Sequence, residues 1–345
     1  MSNDAEELRT FTVRRFFVTI SVLLVAAEAL RFHVTAFGRF FHGHVIPVLK
    51  RSFHVRDAGR PSPVVVDDVP DPCSADCQRF QHRLRHDWPL NRPKAAIYYL
   101  IGSRRPYGVH DSLASLDRHF NSQFDYPVIV FHEADLADHI NHIKSFTNST
   151  LYFQMVSFRM PSFINGSAVP AAACGATIGY RHMCRFQARG VYGEEILRGL
   201  DYVWRLDDDS LLLRPIGYDL FDFMRRHELI YGYIFITWER RVCTRGLWMS
   251  VDAYIRNRTL TTQFYSRWRR NSVYYNNFEV SKLDLWMSAA YQDYVDHVDR
   301  LGGIYFSRWG DAPVKSIAVS MFVPKEKTHH FQDIAYRHQA ITVGF

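Results

Sequence analysis

The chain has 345 residues and a formal net charge of +7 at pH 7, and 47% of its residues are hydrophobic and 15% aromatic. This length allows one large α/β domain with appendages or two ordinary domains, and the apolar content excludes a disordered chain. The Lys and Arg residues form no run of five or more. Because no zinc-finger, helix-turn-helix or RNA-binding signature occurs either, the basic balance does not indicate nucleic acid as a partner.

The amino terminus has the pattern of a targeting segment. Two arginines precede the uncharged run 16–27, which is interrupted at Glu28. A membrane span needs about 20 predominantly apolar residues, so two interpretations remain. In the first, residues 1–15 are a cytoplasmic tail and residues 16–34 a type II signal-anchor. In the second, Ala27-Glu28-Ala29 is the cleavage site of a signal peptide. We favour the signal-anchor, and both interpretations place the rest of the chain in the secretory lumen.

Sequons and cysteines agree with a luminal protein. N-glycosylation sequons begin at Asn148, Asn165 and Asn257, and such sequons are surface features of secreted proteins. None of the five cysteines belongs to a CxxC pair, which disfavours a zinc or thioredoxin-like site. In an oxidising compartment up to two disulfides can form, with one thiol left over. Cys73 and Cys77 enclose a short loop and can pair with each other.

The regular folded domain is predicted to follow a stem. Residues 35–93 are punctuated by proline, with clustered Arg and His between, a composition typical of an extended stem. The main domain is predicted over 94–345, beginning with a buried strand at 95–101. An amphipathic helix and a second buried strand at 127–131 follow. Strand, helix and strand at this spacing form a βαβ unit, which predicts an α/β fold.

Two segments supply candidates for contact with a nucleotide. In α/β folds ligands collect at the carboxyl ends of the strands, and Gly102, Ser103, Arg104 and Arg105 follow the first strand. Arg104 or Arg105 can contact a nucleotide or its phosphates, and a solvated loop charge is the equal alternative. Tyr180 and Arg185 belong to a segment of Arg, His and aromatic residues that can line an anion-binding cleft. From spacing alone, a helix that packs its aromatic face is the favoured alternative.

An acidic cluster interrupts the apolar run 202–213. Asp207, Asp208 and Asp209 follow one another, and we predict a buried strand with these acids at its end. Adjacent carboxylates repel one another, so a folded chain tolerates them best beside a cation. Hard oxygen ligands suit Mg²⁺ or Mn²⁺, which bridge to the phosphates of nucleotides. The alternative is a solvated acidic turn.

The last third of the chain holds three further candidates. Glu279 follows two asparagines and a phenylalanine and precedes a long helix predicted at 282–301. Its carboxylate can act as nucleophile, base or substrate-binding group. Alternatively, it is only a negative charge near a helix N-terminus, where the helix dipole stabilises it. Segment 304–313 is predicted to run from a strand into a helix with Asp311 as the N-cap. His338 is one of several histidines near the carboxyl terminus that can complete a metal site.

Several short segments together carry a resemblance to one known family. In chain order they are Tyr180–Phe186, Tyr202–Leu206, Asn276–Glu279, Ala290–Tyr294, Arg308–Pro313 and Tyr336–His338. They resemble the fungal Golgi α-1,2-mannosyltransferases of glycosyltransferase family 15, over about residues 95–338. The resemblance implies a GT-A fold with a Rossmann-like nucleotide-binding half and an acceptor half. It also implies a type II Golgi membrane protein that uses GDP-mannose and Mn²⁺ and retains the anomeric configuration.

The resemblance also implies a metal site. Asp207 matches the family's metal-binding acid, which is usually a glutamate followed by proline, whereas this chain reads Leu-Asp-Asp-Asp. The departure resembles the Asp-x-Asp of other GT-A enzymes, with Asp207 and Asp209 as the pair. His338 matches the family's metal-ligand histidine. We therefore predict a Mn²⁺ site made of these three residues.

The remaining site residues are assigned to catalysis and to the donor. Glu279 matches the glutamate proposed as nucleophile in the family, and Tyr180 falls in a segment that borders the donor site. Arg104, Arg185 and Asp311 complete the predicted donor site.

The prediction for function follows from these assignments. The protein is expected to be a retaining mannosyltransferase that transfers mannose from GDP-mannose to a mannose-containing glycan, on protein or lipid, in an α-1,2 linkage. Retention needs double displacement, with Glu279 as nucleophile, or attack from the same face, with Glu279 orienting the acceptor or stabilising the cationic sugar. Two alternatives stay open: a catalytically silent sugar-binding member of the fold, and a luminal glycosidase that uses the same carboxylates. The expected partners are the nucleotide sugar, a glycan acceptor and the membrane.

Overall fold

A computed structural model describes residues 71–102 and 105–344. The α-helices α1 to α11 are, in chain order, Ala75–His86, His110–Leu116, Ser122–Phe124, Ile140–Lys144, Ile178–Ala188, Leu220–Arg226, Leu247–Asn257, Leu283–Met287, Ala289–Arg300, Gly303–Ser307 and Asp311–Phe322. The strands β1 to β12 are Ala95–Ile101, Val128–His132, Leu151–Met155, Tyr202–Leu206, Ser210–Leu212, Tyr231–Tyr233, Ile236–Trp238, Ser272–Tyr274, Phe278–Lys282, Thr328–His330, Tyr336–His338 and Ile341–Val343.

The central sheet is mixed, with parallel strands on one side. Its strand order is β10-β6-β9-β4-β1-β2-β3. Strands β4, β1, β2 and β3 are parallel to one another, whereas β9 runs antiparallel to both β4 and β6. Strand β1 is almost entirely buried, as expected for a parallel strand covered on both faces. The predicted α/β class and the predicted βαβ unit at its start are confirmed.

Two hydrophobic cores cover the two faces of this sheet. Successive side chains of a strand point to opposite faces, so Ile97 belongs to one core and Tyr98 to the other. The same alternation sends Trp204 into one core, where its ring lies 5.0 Å from that of Phe278. It sends the next residue, Arg205, to the opposite side. Strand β4 therefore carries a fully buried aromatic side chain on one face and a buried guanidinium on the other.

Helix α1 corrects the predicted end of the stem. Ser74 caps this helix by accepting a hydrogen bond from the Cys77 amide at 3.1 Å. Phe80 and Leu84 are buried in the core together with Cys77, and burying one such side chain stabilises the fold by about 1.5–3 kcal/mol. The stem boundary at residue 93 is therefore wrong, because the Arg and His residues that suggested a loose segment occupy the outer face of a packed helix. Cys77 is also bonded to Cys73, as predicted.

The second disulfide joins Cys174 to Cys243 and leaves the buried Cys184 as a free thiol. Two disulfides with one remaining thiol match the prediction. This bond connects the segment before α5 to the loop that follows β7.

Two predictions of secondary structure near the carboxyl terminus are wrong. The helix predicted at 282–301 is divided into α8 and α9 at Ser288, whose hydroxyl accepts a hydrogen bond from the Tyr291 amide at 3.2 Å and so caps α9. The strand predicted from residue 304 is helix α10, which begins after Gly302 in a left-handed conformation with φ of 69°. A short apolar run does not distinguish a buried helix from a buried strand.

The predicted tail, the signal-anchor at 16–34 and the first half of the stem lie outside the described residues. Between residues 71 and 344, leaving out 103 and 104, no helix combines the length and apolar character needed to cross a bilayer. The sequon residues Asn148, Asn165 and Asn257 are exposed, so each is accessible for modification.

Candidate active site

A cleft of about 610 Å³ lies at the carboxyl ends of the parallel strands β1 and β4. Its volume falls within the roughly 300–1,000 Å³ typical of small-molecule sites, and its place at the strand ends is where α/β folds bind ligands. Loop residues after β1 and β4, the paired strands β7 and β8, the start of α11 and the end of β11 all contribute. The lining residues are Gly102, Arg105, Tyr180, Met183, Arg205, Asp207, Asp208, Asp209, Thr237, Trp238, Glu239, Val273, Tyr275, Asn276, Asn277, Arg308, Gly310, Asp311, Ala312, His338 and Gln339.

The three acids occupy a tight turn between β4 and β5. The Ser210 amide donates to the Asp207 carbonyl at 3.0 Å and closes this turn. Strand β5 pairs with β11 so that Ser210 lies opposite His338. As a result the imidazole Nε2 of His338 is 2.7 Å from Asp209 Oδ1 and 3.9 Å from Asp207 Oδ2. The structure thus brings together Asp207, Asp209 and His338, the three predicted metal ligands.

The charges of this cluster are unevenly distributed. The hydrogen bond from His338 holds the pKa of Asp209 below its usual range. Burial, together with repulsion from Asp209 and Asp207, raises the pKa of Asp208 to about 6. The Tyr275 hydroxyl hydrogen-bonds Nδ1 of His338 and fixes the orientation of the ring. Crowded carboxylates of this kind are relieved by a bound cation.

The donor types fit a divalent cation, although the side chains are engaged with one another. Carboxylate oxygens and an imidazole nitrogen are ligands that Mn²⁺ accepts. Across the described part of the chain, no three Asp, Glu, His or Cys side chains are already arranged to hold a metal ion. Asp207 instead accepts hydrogen bonds from Arg205 at 3.1 Å and from the Asn277 amide. Asp207, Asp209 and His338 are the residues that would hold such an ion.

A buried guanidinium links this cluster to the floor of the cleft. Arg205 on β4 donates to Asp207 on one side and to Asp311 on the other. The Asn276 amide adds a hydrogen bond of 2.8 Å to Asp311. Although burial opposes ionisation, Arg205 holds the pKa of Asp311 below its usual range. The prediction that Asp311 is the N-cap of α11 is wrong, because Gly310 occupies that position. The carboxylate of Asp311 is directed towards Arg205 instead.

Glu279 lies behind the cleft rather than in its lining. It sits on β9 opposite Arg205, and its side chain is only 1% exposed. The carboxylate accepts a hydrogen bond from the Lys315 ammonium on α11 and one of 3.1 Å from the Tyr231 hydroxyl. Lys315 is equally buried and lies 4.4 Å from the ring centroid of Trp286. The negative charge of Glu279 is therefore neutralised inside the protein, and its role as nucleophile stays a prediction.

Tyr180 lines the cleft in an ion-paired setting. Its hydroxyl accepts a hydrogen bond from Arg308 Nη2 at 3.1 Å, and Arg308 pairs with Glu239 at 2.8 Å. These three side chains come from α5, from the loop before α11 and from the end of β7. They form one polar wall of the cleft.

Arg185 does not reach the cleft, although it is on the same helix as Tyr180. Its Nε and Nη2 atoms each donate to Asp299 of α9 at 2.8 Å. The prediction that Arg185 binds the donor is therefore wrong, because its guanidinium is neutralised between two helices. Arg104 lies outside the described residues, and its neighbour Arg105 lines the cleft.

Other residues of the site have no local signal in the sequence. Trp238 closes an ordinary strand pattern, Tyr275 lies between two strands, and Lys315 interrupts an apolar helix. Each gains its position from partners far away in the chain. Arg308 is the exception, since it begins the Arg-Trp-Gly-Asp-Ala-Pro segment that carries the family resemblance.

Comparison with known proteins identifies the family. The family described as glycolipid 2-alpha-mannosyltransferase matches residues 68–344. The glycolipid 2-alpha-mannosyltransferase of Saccharomyces cerevisiae is 29% identical over 269 residues, which are 72% of this chain and 61% of that protein. The glycolipid 2-alpha-mannosyltransferase 1 of Candida albicans is 27% identical over 320 residues, 86% of this chain and 71% of that protein. The chain thus spans about three fifths of the length of the first relative.

Solved structures share the fold. The mannosyltransferase Ktr4p of S. cerevisiae, solved in complex with GDP, superimposes with a TM-score of 0.67 at 22% identity over 87% of each chain. Core-mannan synthase A from Aspergillus fumigatus, in its Mn/GDP form, gives a TM-score of 0.67 at 24% identity over 73% of this chain and 76% of its own. With the family match over most of its length, the chain belongs to the glycolipid 2-alpha-mannosyltransferase family, whose named relatives are glycosyltransferases.

Proposed function

We propose that this protein is a retaining GT-A mannosyltransferase that transfers mannose from GDP-mannose to a mannose-containing glycan in an α-1,2 linkage. The observation that carries the proposal is the cluster of Asp207, Asp209 and His338 at the strand ends of the cleft. It is supported by the named activities of the relatives, and by the GDP and the Mn with GDP in the two structures that share the fold. A silent sugar-binding protein or a glycosidase is not favoured by these relatives.

The donor is expected to bind with its diphosphate near the acids. Asp207, Asp209 and His338 would hold Mn²⁺, which would neutralise the negative charge that develops on the departing GDP. Arg105 lines the same cleft, and its guanidinium can pair directly with a phosphate oxygen. Tyr180 lines the same cleft and is expected to border the sugar of the donor.

The reaction breaks the bond between the anomeric carbon and the phosphate oxygen and forms a bond from that carbon to the acceptor hydroxyl. The proton of the hydroxyl passes to the departing phosphate, so no group of the protein is consumed. We infer attack from the same face, because Glu279 is buried in an ion pair and does not line the cleft. In this scheme the carboxylate of Asp311, which lines the cleft, contributes negative charge that favours the oxocarbenium-like state of the sugar. The charge of Glu279 stays balanced by Lys315.

We further propose that the protein is anchored in the Golgi membrane as a type II protein, with residues 16–34 as the anchor. The uncharged run 16–27 after two arginines supports the anchor, and the two disulfides support an oxidising lumen. The resemblance of the sequence motifs to Golgi α-1,2-mannosyltransferases supports the Golgi location.

The test is transfer to α-methyl mannoside by the full-length protein in detergent, with a panel of GDP- and UDP-sugars. We expect an α-1,2-linked product from GDP-mannose alone, in the presence of Mn²⁺ and not of EDTA. Turnover that survives EDTA, or that uses only a UDP-sugar, would contradict the proposal.

A matched pair of variants tests the metal site by calorimetry. Asp207→Ala is expected to abolish the Mn²⁺-dependent part of GDP binding, whereas Asp284→Ala, at an exposed acid outside the cleft, is expected to leave it unchanged. Unchanged GDP affinity in Asp207→Ala would remove this residue from the metal site.

A further inference from the structure

One large aromatic side chain stands exposed at the cleft. Trp238, the last residue of β7, is 54% exposed and lines the cleft together with Thr237 and Glu239. An aromatic side chain in a folded protein buries roughly 150–250 Å² of surface. An exposed indole therefore leaves a considerable apolar area in contact with water. Exposed apolar area in a ligand cleft indicates a contact made only when the ligand is present.

The indole is held in place from one side. Strand β7 pairs with β8 in a two-stranded antiparallel sheet outside the central sheet, with Trp238 opposite Ser272. The guanidinium of Arg269 lies 3.9 Å from the centre of the Trp238 ring. A cation at this distance is attracted to the π-face, so it fixes the ring and covers one of its two faces. The other face remains available to a ligand.

The polar groups beside the indole suit a sugar. Glu239 follows Trp238 directly, and its carboxylate pairs with Arg308 at 2.8 Å. A pyranose ring presents C–H groups on its face and hydroxyl groups around its edge. An aromatic face beside a carboxylate and a guanidinium therefore matches both parts of such a ring at once.

The position of Trp238 favours the acceptor over the donor. The acids that would bind the donor diphosphate lie at the end of the central sheet, whereas Trp238 lies on the separate two-stranded sheet, which contributes another part of the cleft lining. An acceptor glycan is long and must leave the cleft towards solvent, so the exposed part of the wall is the part available to it.

We propose that Trp238 is the stacking platform for the acceptor sugar, and that it makes the enzyme specific for acceptors that end in a pyranose ring. This inference rests on the proposed mannosyl transfer. Trp238 then determines how tightly the acceptor binds, and the binding of GDP is independent of it.

The experiment compares the full-length protein with Trp238→Ala, Trp238→Phe and the control Ile236→Ala. Ile236 lies two residues earlier on the same strand and is 41% exposed, but it does not line the cleft. For each protein we would measure the KM for α-methyl mannoside, the rate of GDP-mannose hydrolysis without acceptor, and the Kd of GDP with Mn²⁺. Thermal unfolding verifies that each variant is folded.

The expected result is a rise in acceptor KM of at least about tenfold for Trp238→Ala, equivalent to about 1.4 kcal/mol. Trp238→Phe should show a smaller rise and Ile236→Ala none, with donor hydrolysis and GDP affinity unchanged in all three. An unchanged acceptor KM overturns the platform. A parallel loss of GDP affinity also overturns it, since the indole would then stack on the guanine base.

The failure of this inference is distinguishable from failure of the proposed function. Wild-type protein without turnover of GDP-mannose would remove the proposed reaction whatever the variants do. Saturation-transfer NMR with α-methyl mannoside then tests whether Trp238 is the stacking platform. Contact with the sugar is expected for wild type and for Ile236→Ala, and a loss of contact for Trp238→Ala. Equal signals in all three proteins would overturn it.

Discussion

Two buried arginines of this protein serve opposite purposes. Arg205 and Arg185 both follow aromatic or apolar neighbours in the sequence, and both are almost inaccessible to solvent. Arg205 pairs with Asp207, whose side chain is 27% exposed in the cleft. Arg185 pairs with Asp299, which is 2% exposed between two helices. The exposure of the partner, rather than that of the arginine itself, separates the pair that reaches the cleft from the pair that joins two helices of the fold.

Both pairs are expected to matter for stability. Removing one partner of a buried ion pair leaves an uncompensated charge and costs about 3–5 kcal/mol. Only the pair that extends into the cleft is expected to change the chemistry as well. Matched substitutions at the two arginines therefore test the distinction.

The largest effect is expected for Arg205→Met. Asp207 and Asp311 would both lose their cation, so the acids at the cleft would no longer be held in place. We expect kcat/KM to fall by about 10²–10³-fold, as for the loss of one preorganised electrostatic contact. The measurement is mannosyl transfer at a temperature where circular dichroism shows the variant folded. Normal turnover in the folded variant would mean that Arg205 is only structural.

Glu279→Gln is next in size. It leaves the Lys315 ammonium buried without its carboxylate, so the free energy of unfolding should fall by about 3–5 kcal/mol. Turnover should fall by orders of magnitude while GDP-mannose still binds.

The double variant Glu279→Gln/Lys315→Met decides what Glu279 does. Replacing the whole pair removes the buried charge and should restore most of the stability. If Glu279 only balances charge, turnover should recover in part together with stability. If Glu279 is the nucleophile, the double variant should be stable and inactive, and the inferred attack from the same face would have to be given up.

Arg185→Met is expected to change stability alone. Asp299 would keep Arg189, whose Nη1 lies 3.9 Å from its Oδ2, so the free energy of unfolding should fall by up to about 3–5 kcal/mol. At a temperature where the variant is folded, kcat should remain within about threefold of wild type, which is less than 1 kcal/mol. Chemical denaturation and transfer assays on the same preparation test both parts. A large loss of GDP affinity in the folded variant would restore Arg185 to the donor site.

The smallest effect concerns a buried acid, Glu194. Glu194 is buried, and its Oε2 atom has no hydrogen-bond partner within the region that the structure describes. Burial, and to a lesser extent Asp71, raises the pKa of Glu194 to about 8. The folded protein therefore holds this proton between about pH 4.5 and 8 while the unfolded chain releases it. Stability from this group is present at low pH and is lost as pH rises through that interval.

Glu194→Gln removes this dependence. The stability of the variant relative to wild type should increase with pH across the interval, by at most about 1.4 kcal/mol per pH unit. Denaturation midpoints at several pH values test the slope. Parallel curves for the two proteins would show that Glu194 is already ionised in the fold.

The sequence predicts local features of this protein better than it predicts which charges meet. The buried strands at 95–101 and 202–206 and the acids after the second are evident from an unbroken apolar run and its sudden end. Helix α1 escapes the same reasoning, because Arg and His on its outer face hide the short apolar stripe. The strand predicted from residue 304 fails for the related reason that a few apolar residues fit either structure.

Contacts between distant segments are the part that sequence reasoning does not reach. Segment 180–186 contains two arginines and a histidine that suggest an anion-binding cleft, yet Tyr180 and Met183 are its residues in the cleft lining. Asp299 decides the position of Arg185 from a remote helix. Glu279 can be selected as a candidate from the sequence because it follows two asparagines in a motif. Its partner Lys315 lies in an apolar helix, where no sequence pattern indicates a role. The three predicted metal ligands could be named together because the family resemblance indicated His338.

The disulfide between Cys174 and Cys243 makes the cleft sensitive to redox conditions. It closes a loop with a sequence separation of 69 residues, which in the chain-entropy description disfavours the unfolded chain by about 4 kcal/mol. Its two ends lie next to the segments that carry Tyr180 and Glu239, on the same wall of the cleft. Protein made in a reducing cytosol would lack this crosslink, so an active preparation calls for expression through an oxidising secretory route.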